Sequence, residues 1–456
     1  MPDGSDLNAF AVMRAQGQPD EAAPAPQGAP RIERGFAAGT DLERAGGSGG
    51  RELRGPQAPR SECPAAQTDG AATVARDRLR RAAKAVAAGA LLATGAHRLV
   101  RALRTRQAGG ARVLVLSYHR AVLDWAEGVR EAIPSMLVSA ATLRRHLEHL
   151  SRSWEIVSLS DAARILAEGP RGPSRAFAAI TFDDGYADNH AVALPVLRAL
   201  RVPATIYVAT GFTGTDDRFV HDRLFATLRE LARRGIRPEQ AGIDAPLQAF
   251  LTAAAAPGPA ETLDRLIAWA PHRAVLAVAE ALERRTGRTP ADLPPGARPL
   301  DWDEVRDLAA AGLDVGGHSV RHAALPNLSL AEAREEIEGC RDDLVERLGR
   351  PPRHFAYPNG FHSSAIRGAV RAAGYETGST TDDRENVRGC DPYALRRKVL
   401  WEGSTLGPIG FSAALATCSF DGVFGALKGR RPDTGERPDP PVSADAVDDP
   451  GHRAAS

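Results

Sequence analysis

The chain has 456 residues, with 58 Lys+Arg against 57 Asp+Glu and a net charge of +1 at pH 7. That balance excludes a chain built as a whole to bind nucleic acid or another polyanion. The four cysteines (Cys63, Cys340, Cys390, Cys418) are scattered without a C-x-x-C pair, which excludes a disulfide framework or a thiolate zinc site.

In chain order, residues 1–78 are rich in Ala, Gly and Pro, with Phe10 and Phe36 as their only aromatics. Such a stretch buries too little apolar surface to offset its ordering entropy, so it is expected to be disordered. Its opening, MPDGSDLNAF, has neither the basic nor the apolar region of a signal peptide. Residues 79–108 are predicted to form a basic, apolar helix. RLRRAAKAVAAGALLATGA (Arg78–Ala96) has a basic lead followed by small apolar residues, and RLVRALRTR (Arg98–Arg106) adds further cations. The stretch 78–106 reads as a helix that packs on the domain or lies on a membrane face. The alternative is an export signal or anchor that begins late, which would place the protein in the cell envelope rather than the cytoplasm. No run of about 20 apolar residues exists, so a spanning helix is not expected.

From residue 111 to 428 the pattern becomes short apolar runs alternating with helical stretches. RVLVLSY (Arg112–Tyr118), AFAAITF (Ala176–Phe182), ATIYVAT (Ala204–Thr210), LDVGG (Leu313–Gly317) and HFAYP (His354–Pro358) read as strands buried on both faces. ETGST (Glu376–Thr380) and RKVLW (Arg397–Trp401) are weaker members of the series. Helices are predicted over Ala141–Leu150, Leu159–Ala167, Ala191–Leu200, Trp302–Ala311, Leu330–Leu348 and Ser364–Ala373. The clearest begins with a capping box, Ser329 and Glu332, and stops at Gly349. The alternation implies a parallel α/β sheet or barrel. Residues 211–300 break the rhythm as a largely helical insertion, and 429–456 read as a disordered tail.

Three clusters carry chemistry. In ITFDDGYADNH, a buried strand runs into Asp183 and Asp184, two carboxylates at the strand end where α/β folds place active sites. Adjacent side chains diverge there, so one carboxylate can serve a metal and the other a proton. In GGHSVRH, His318 and His322 have the H-x3-H spacing that brings two imidazoles to one metal. Two His and one Asp make a hydrolytic metal site with a position open for water. In HFAYPNGFHS, a Pro-Asn-Gly turn offers backbone N–H groups to a developing oxyanion. A phosphatase of the D-x-D type is excluded by Gly185 in the third place.

TFDDGY and HSVRH, in this order, resemble the first two signature motifs of the polysaccharide deacetylase family, carbohydrate esterase family four. The resemblance covers about 110–405, less the insertion. It implies an α/β fold, specifically a distorted (β/α)7 barrel. It also implies a hydrolase that removes N-acetyl or O-acetyl groups from an acetylated glycan with a divalent metal, most often Zn2+, with Co2+, Ni2+ or Mn2+ as alternatives. By motif, Asp183 takes the place of the catalytic base, and Asp184, His318 and His322 those of the metal ligands. The third motif departs from the family: its Arg is Ala356 here, and Asn359 falls where a backbone N–H meets the oxyanion, with Tyr357 beside it as a substrate contact. Arg397 is the candidate to replace the missing Arg beside Asp183. The family's Leu-x-His is absent from ALRRKVL (Ala394–Leu400). A branch that acts on exported biofilm glycans lacks it too and begins with a strand ending Tyr-His, as in VLVLSYHRAV, so His119 is the candidate general acid. The alternatives are a hydrolase of another C–N amide bond on the same scaffold, or a glycan-binding protein with an impaired site.

Overall fold

A computed structural model describes residues 69–107, 112–130, 132–170, 176–424 and 434–441. The disorder expected for 1–68 and for the ends of the tail lies outside these residues.

The alternation of apolar runs and amphipathic helices produces a ring of parallel strands. β1 (Arg112–Tyr118) pairs in parallel with β2 (Ala176–Phe182) from Arg112↔Ala176 to Tyr118↔Phe182. β3 (Thr205–Val208), β4 (Asp314–Gly317), β5 (His354–Ala356) and β6 (Thr377–Ser379) follow in order, each parallel to the one before. β7 (Arg397–Val399) returns to β1, pairing Val115↔Arg397 through Ser117↔Val399. The residue two before β7 closes the circle: Leu395 N–H donates to Gly378 O at 2.8 Å, and Thr380 N–H donates to Leu395 O at 2.8 Å. The result is a distorted seven-stranded (β/α) barrel. Two of its seams are short: β4 and β5 pair only at Gly317↔Phe355, and β6 meets the β7 segment only at the Ser379↔Leu395 bridge.

Strand side chains are buried on both faces for separate reasons. Leu114, Leu116, Tyr118, Ile180, Phe182, Ile206 and Val208 face outward into one core beneath helices, among them Ala140–Leu150 and Leu194–Leu200. Val113, Val115, Phe177, Ala179 and Tyr207 face inward and meet the helix Leu159–Glu168, which plugs the end where the strands start. Between β3 and β4, four helices, Val220–Arg233, Ala245–Ala254, Pro259–Trp269 and His272–Thr286, form a bundle with its own apolar core. That core reaches Ile133 and Ala324 and half-buries Met136 and Phe361, so the bundle leans over the open end of the barrel. Asn327 fixes it there by donating to the carbonyls of Ile267 (3.0 Å) and Ala270 (3.1 Å).

Three expectations need correction. Residues 69–78, read as disordered, belong to a helix, α1 (Asp69–Ala93). The single helix expected over 79–108 is two helices: α1 ends at a left-handed Gly95 (φ 71°), and α2 (Ala96–Gln107) follows. Glycine accepts that backbone without a Cβ penalty, which makes it a natural stop. Part of the expected disordered tail is also ordered. Pro441 O accepts from Leu330 N–H at 3.0 Å, Asp439 Oδ1 accepts from Ala365 N–H at 2.7 Å, and His362 bridges Glu436. Composition predicts how little a segment buries by itself, not that the barrel offers it backbone partners.

At Gly316 the strands approach too closely for a side chain: an added Cβ would stand 2.6 Å from the Tyr207 ring and 2.7 Å from His354 O. Gly316→Ala is expected to cost about 1–3 kcal/mol of stability, read from denaturant unfolding. An unchanged midpoint would mean that the barrel relaxes at β4.

Candidate metal centre and active site

The ends of the strands deliver the site. Asp183 and Asp184 follow β2, His119 follows β1, His318 follows β4, Asn359 follows β5, and Val399 and Trp401 stand at the end of β7. Together with Met136, Phe361 and, from the helical bundle, His221, Leu263, Asp264 and Ile267, they line a pocket of about 440 Å³.

The two carboxylates are separated by the backbone. Asp183 continues the ladder, its N–H donating to Tyr118 O at 2.8 Å. Asp184 then turns into the left-handed region at φ 71°, and Gly185 follows at φ 76°, where a Cβ would meet Val208 at 2.9 Å. Ser319 (φ 63°), His322 (φ 55°) and Asn359 (φ 58°) sit in the same region. Non-glycine residues hold that conformation at a cost of about 1 kcal/mol or more each, so the barrel ends are strained where the functional side chains are aimed.

Asp183 points into the barrel. Arg397, fully buried, grips it with two bonds: Nη1 donates to Oδ1 at 2.6 Å and Nη2 to Oδ2 at 2.8 Å. Arg397 is itself fixed, Nε donating to Thr380 O (2.8 Å) and Nη1 to Thr181 Oγ1 (3.1 Å). Ser117 Oγ donates to Asp183 Oδ2 at 3.1 Å. Burial opposes ionisation of Asp183, but the Arg397 guanidinium, His318 and His119 outweigh it and hold the carboxyl below its ordinary range. The guanidinium missing from Ala356 on β5 is thus supplied by β7.

Asp184 faces the histidines. Its Oδ1 lies 3.3 Å from His318 Nε2 and 3.0 Å from His322 Nε2. The His318 Nδ1 is 2.7 Å from Ala356 O, and a carbonyl can only accept, so Nδ1 donates. When neutral, that ring turns the lone pair of Nε2 toward a carboxylate oxygen, an arrangement that repels unless a cation lies between. Asp184 Oδ2 is also buried, with no hydrogen-bond partner among the described residues. Burial again opposes the charge of Asp184, while His322 and His318 hold its carboxyl well below the usual value. One O and two N donors within 4.8 Å of one another suit a divalent cation.

His119 Nε2 stands 4.0 Å from Asp183 Oδ2, on the pocket side, with its Nδ1 buried and unpartnered among the described residues. Asn189 Nδ2 donates to His119 O at 2.8 Å, and Asp188 holds Arg120 Nε at 2.9 Å and Ala121 N–H at 3.2 Å. The residues after the Asp-Asp-Gly turn therefore position the first strand's histidine. Asn359 reaches the pocket, its Nδ2 buried without a partner among the described residues.

The expectation for Tyr357 as a substrate contact is not met by its side chain. The ring is fully buried with Phe355 and Tyr375, and the hydroxyl donates to Tyr393 O at 2.7 Å. Alternation along an extended strand turns it to the outer face, opposite Ala356.

One histidine at the site was not singled out from sequence. His221, from the helical bundle, has Nε2 2.7 Å from the Tyr186 hydroxyl and 4.0 Å from Asp184 Oδ2, and its ring stacks on Phe219 at 5.3 Å. Burial pushes its pKa down to about 3, so it is neutral at ordinary pH. The adjacent Asp222 accepts from Tyr186 at 2.8 Å. The only sequence signal was a His-Asp pair inside an otherwise uninformative insertion.

Residues 171–256 and 258–378 match the polysaccharide deacetylase family. A curated relative named for the same family, YxkH of Bacillus subtilis (strain 168), is 29% identical over 111 residues. That match covers 24% of this chain and only 38% of YxkH. Among solved structures, the deacetylase PplD of Streptococcus pyogenes, in complex with acetate, aligns with a TM-score of 0.42 and 17% identity. The alignment covers 65% of this chain and 95% of PplD. IcaB of Ammonifex degensii aligns with a TM-score of 0.42 and 16% identity over 68% of this chain and 97% of its own.

Removing the guanidinium from Asp183 strands a buried carboxylate, so Arg397→Met is expected to destabilise the metal-free protein by about 3–5 kcal/mol at pH 7. Because the folded carboxyl titrates below the ordinary value of 3.8, the pair stabilises fully above that pH. The difference between the two proteins should therefore shrink as the pH falls through the lower, folded value. Urea unfolding of both across this range is the measurement, and a difference independent of pH would contradict the pairing.

Proposed function

We propose that this protein, whose residues 171–256 and 258–378 match the polysaccharide deacetylase family, is a metal-dependent hydrolase. It removes acetyl groups, N-acetyl first and O-acetyl second, from a glycan or sugar conjugate. The observation that carries the reading is the juxtaposition of a buried Asp184–His318–His322 donor set with a separate carboxylate, Asp183, held by Arg397.

Asp184, His318 and His322 would hold the cation, with zinc the best match to the donors. When bound, it supplies Lewis acidity for the acetyl carbonyl and for the attacking water. Asp183 is ionised and accepts the water's proton, at the carboxylate edge that faces the pocket. Arg397 and Ser117 fix that carboxylate's orientation, so little reorganisation is needed at the moment of transfer. Asn359, in the turn Pro358–Gly360 and lining the pocket, would offer an N–H to the developing oxyanion. His119 Nε2 gives its proton to the departing nitrogen. Arg397 beside Asp183 also weakens the reading of an impaired site, because the guanidinium that Ala356 cannot supply is present.

The substrate end of the pocket favours a neutral sugar. Among the described residues no Lys or Arg lines it, while Trp401, Phe361, Leu263 and Ile267 offer apolar faces. This makes phosphorylated or otherwise anionic groups poor occupants of the innermost subsite.

The test is acetate release from a panel of acetylated glycans, beginning with N-acetylglucosamine oligomers, with metal-stripped enzyme as the control. Asp183→Asn is expected to lower kcat by about 10²–10⁴-fold with the metal content unchanged. His318→Ala should lose the metal itself, as elemental analysis would show. A variant without Asp183 that keeps most of its rate would contradict the assignment of the base.

A further inference from the structure

We infer that α1 and α2 form a docking surface for an anionic lipid bilayer, on which the enzyme rests without spanning it. The inference is independent of the deacetylase reading.

α1 buries one face. Ala88 packs with Leu415, Cys418 and Val423, and Ala85 and Leu92 lean on the same cluster. Leu79 and Val86, seven residues apart and so on one stripe, point elsewhere and are each 73% exposed. On α2, Val100 turns to that cluster, while Leu99 and Leu103 are 63% and 49% exposed. Four of the six large apolar side chains left exposed among the described residues thus fall on one helical hairpin. Such clustering marks an interaction surface rather than the scattered exposure every protein shows.

Cations surround the leucines. From Arg78 to Arg106 there are eight Lys or Arg and no carboxylate, in a chain whose net charge is only +1. Arg80, Arg81, Arg98 and Arg106 are exposed beside the apolar residues. Arg104 is tied to Glu385 at 3.3 Å.

Charge decides the occupant. A second copy docking through this face would bring its four exposed arginines against four more, which repel. A nucleic-acid surface gains nothing from four solvated aliphatic side chains. An anionic bilayer satisfies both features, with aliphatic side chains entering the headgroup boundary and arginines meeting the phosphates. No described helix is long and apolar enough to cross a membrane, so the hairpin lies on the surface.

The test is flotation of the full-length protein with vesicles of phosphatidylcholine alone or with about 30% phosphatidylglycerol. Binding to the anionic vesicles is expected, weaker by about tenfold or more without phosphatidylglycerol or at high salt. Leu99→Asp with Leu103→Asp, and separately Arg80→Glu with Arg81→Glu and Arg98→Glu, should each abolish it. Because these positions are exposed, circular dichroism should be unchanged, and if one variant unfolds, the other decides. Equal binding to both vesicle types, binding retained in a folded variant, or a dimer by light scattering that the leucine variant dissolves would overturn the inference.

Discussion

Two consecutive carboxylates at the end of one buried strand must face different partners, and much of the site follows from how the backbone meets that demand. Asp183 keeps the extended geometry of β2 and meets a guanidinium inside the barrel. Asp184 swings away through a left-handed turn toward two imidazoles. Without the turn, both charges would compete for one environment, and burial would neutralise one of them. Gly185 makes the turn affordable in space, because only a hydrogen fits against Val208.

The same constraint explains the second helical layer over the mouth. A buried Asp-His-His group requires that bulk water be kept back and that its ligands be held still. His318 is fixed by the Ala356 carbonyl. The bundle adds Phe219 beneath His322 and His221 beside Asp184, with Tyr186 and Asp222 completing the hydrogen bonds. Burial pushes the Asp222 carboxyl up to about 6 against the opposing charge of Arg120. The insertion therefore shapes the wall on which a substrate would lie and also packs around Asp184 and His322.

Much of this was legible in the sequence. The five clear apolar runs became barrel strands because residues buried on both faces leave a continuous hydrophobic signature, while the weaker ETGST and RKVLW became the last two strands without one. Asp184 and His318 converge because they lie just past the ends of two strands, parallel strands open at one end, and the loop after His318 brings His322 back to them. The closure of the ring was not legible, since it rests on backbone bonds of Leu395, which no side-chain pattern records. Tyr357 was misread because a motif names neighbours in sequence, while strand alternation sends adjacent side chains to opposite faces. The docked segment 434–441 and the role of His221 depend on partners distant in the chain, so composition carries no trace of them.

The central claim is that Asp184, and not Asp183, carries the cation. A crystal soaked in zinc and measured at the zinc absorption edge would locate the ion by its anomalous signal. The account predicts one strong peak among an Asp184 carboxylate oxygen, His318 Nε2 and His322 Nε2, with Asp183 still paired to Arg397. A peak bound by Asp183, or none at this cluster, would contradict it.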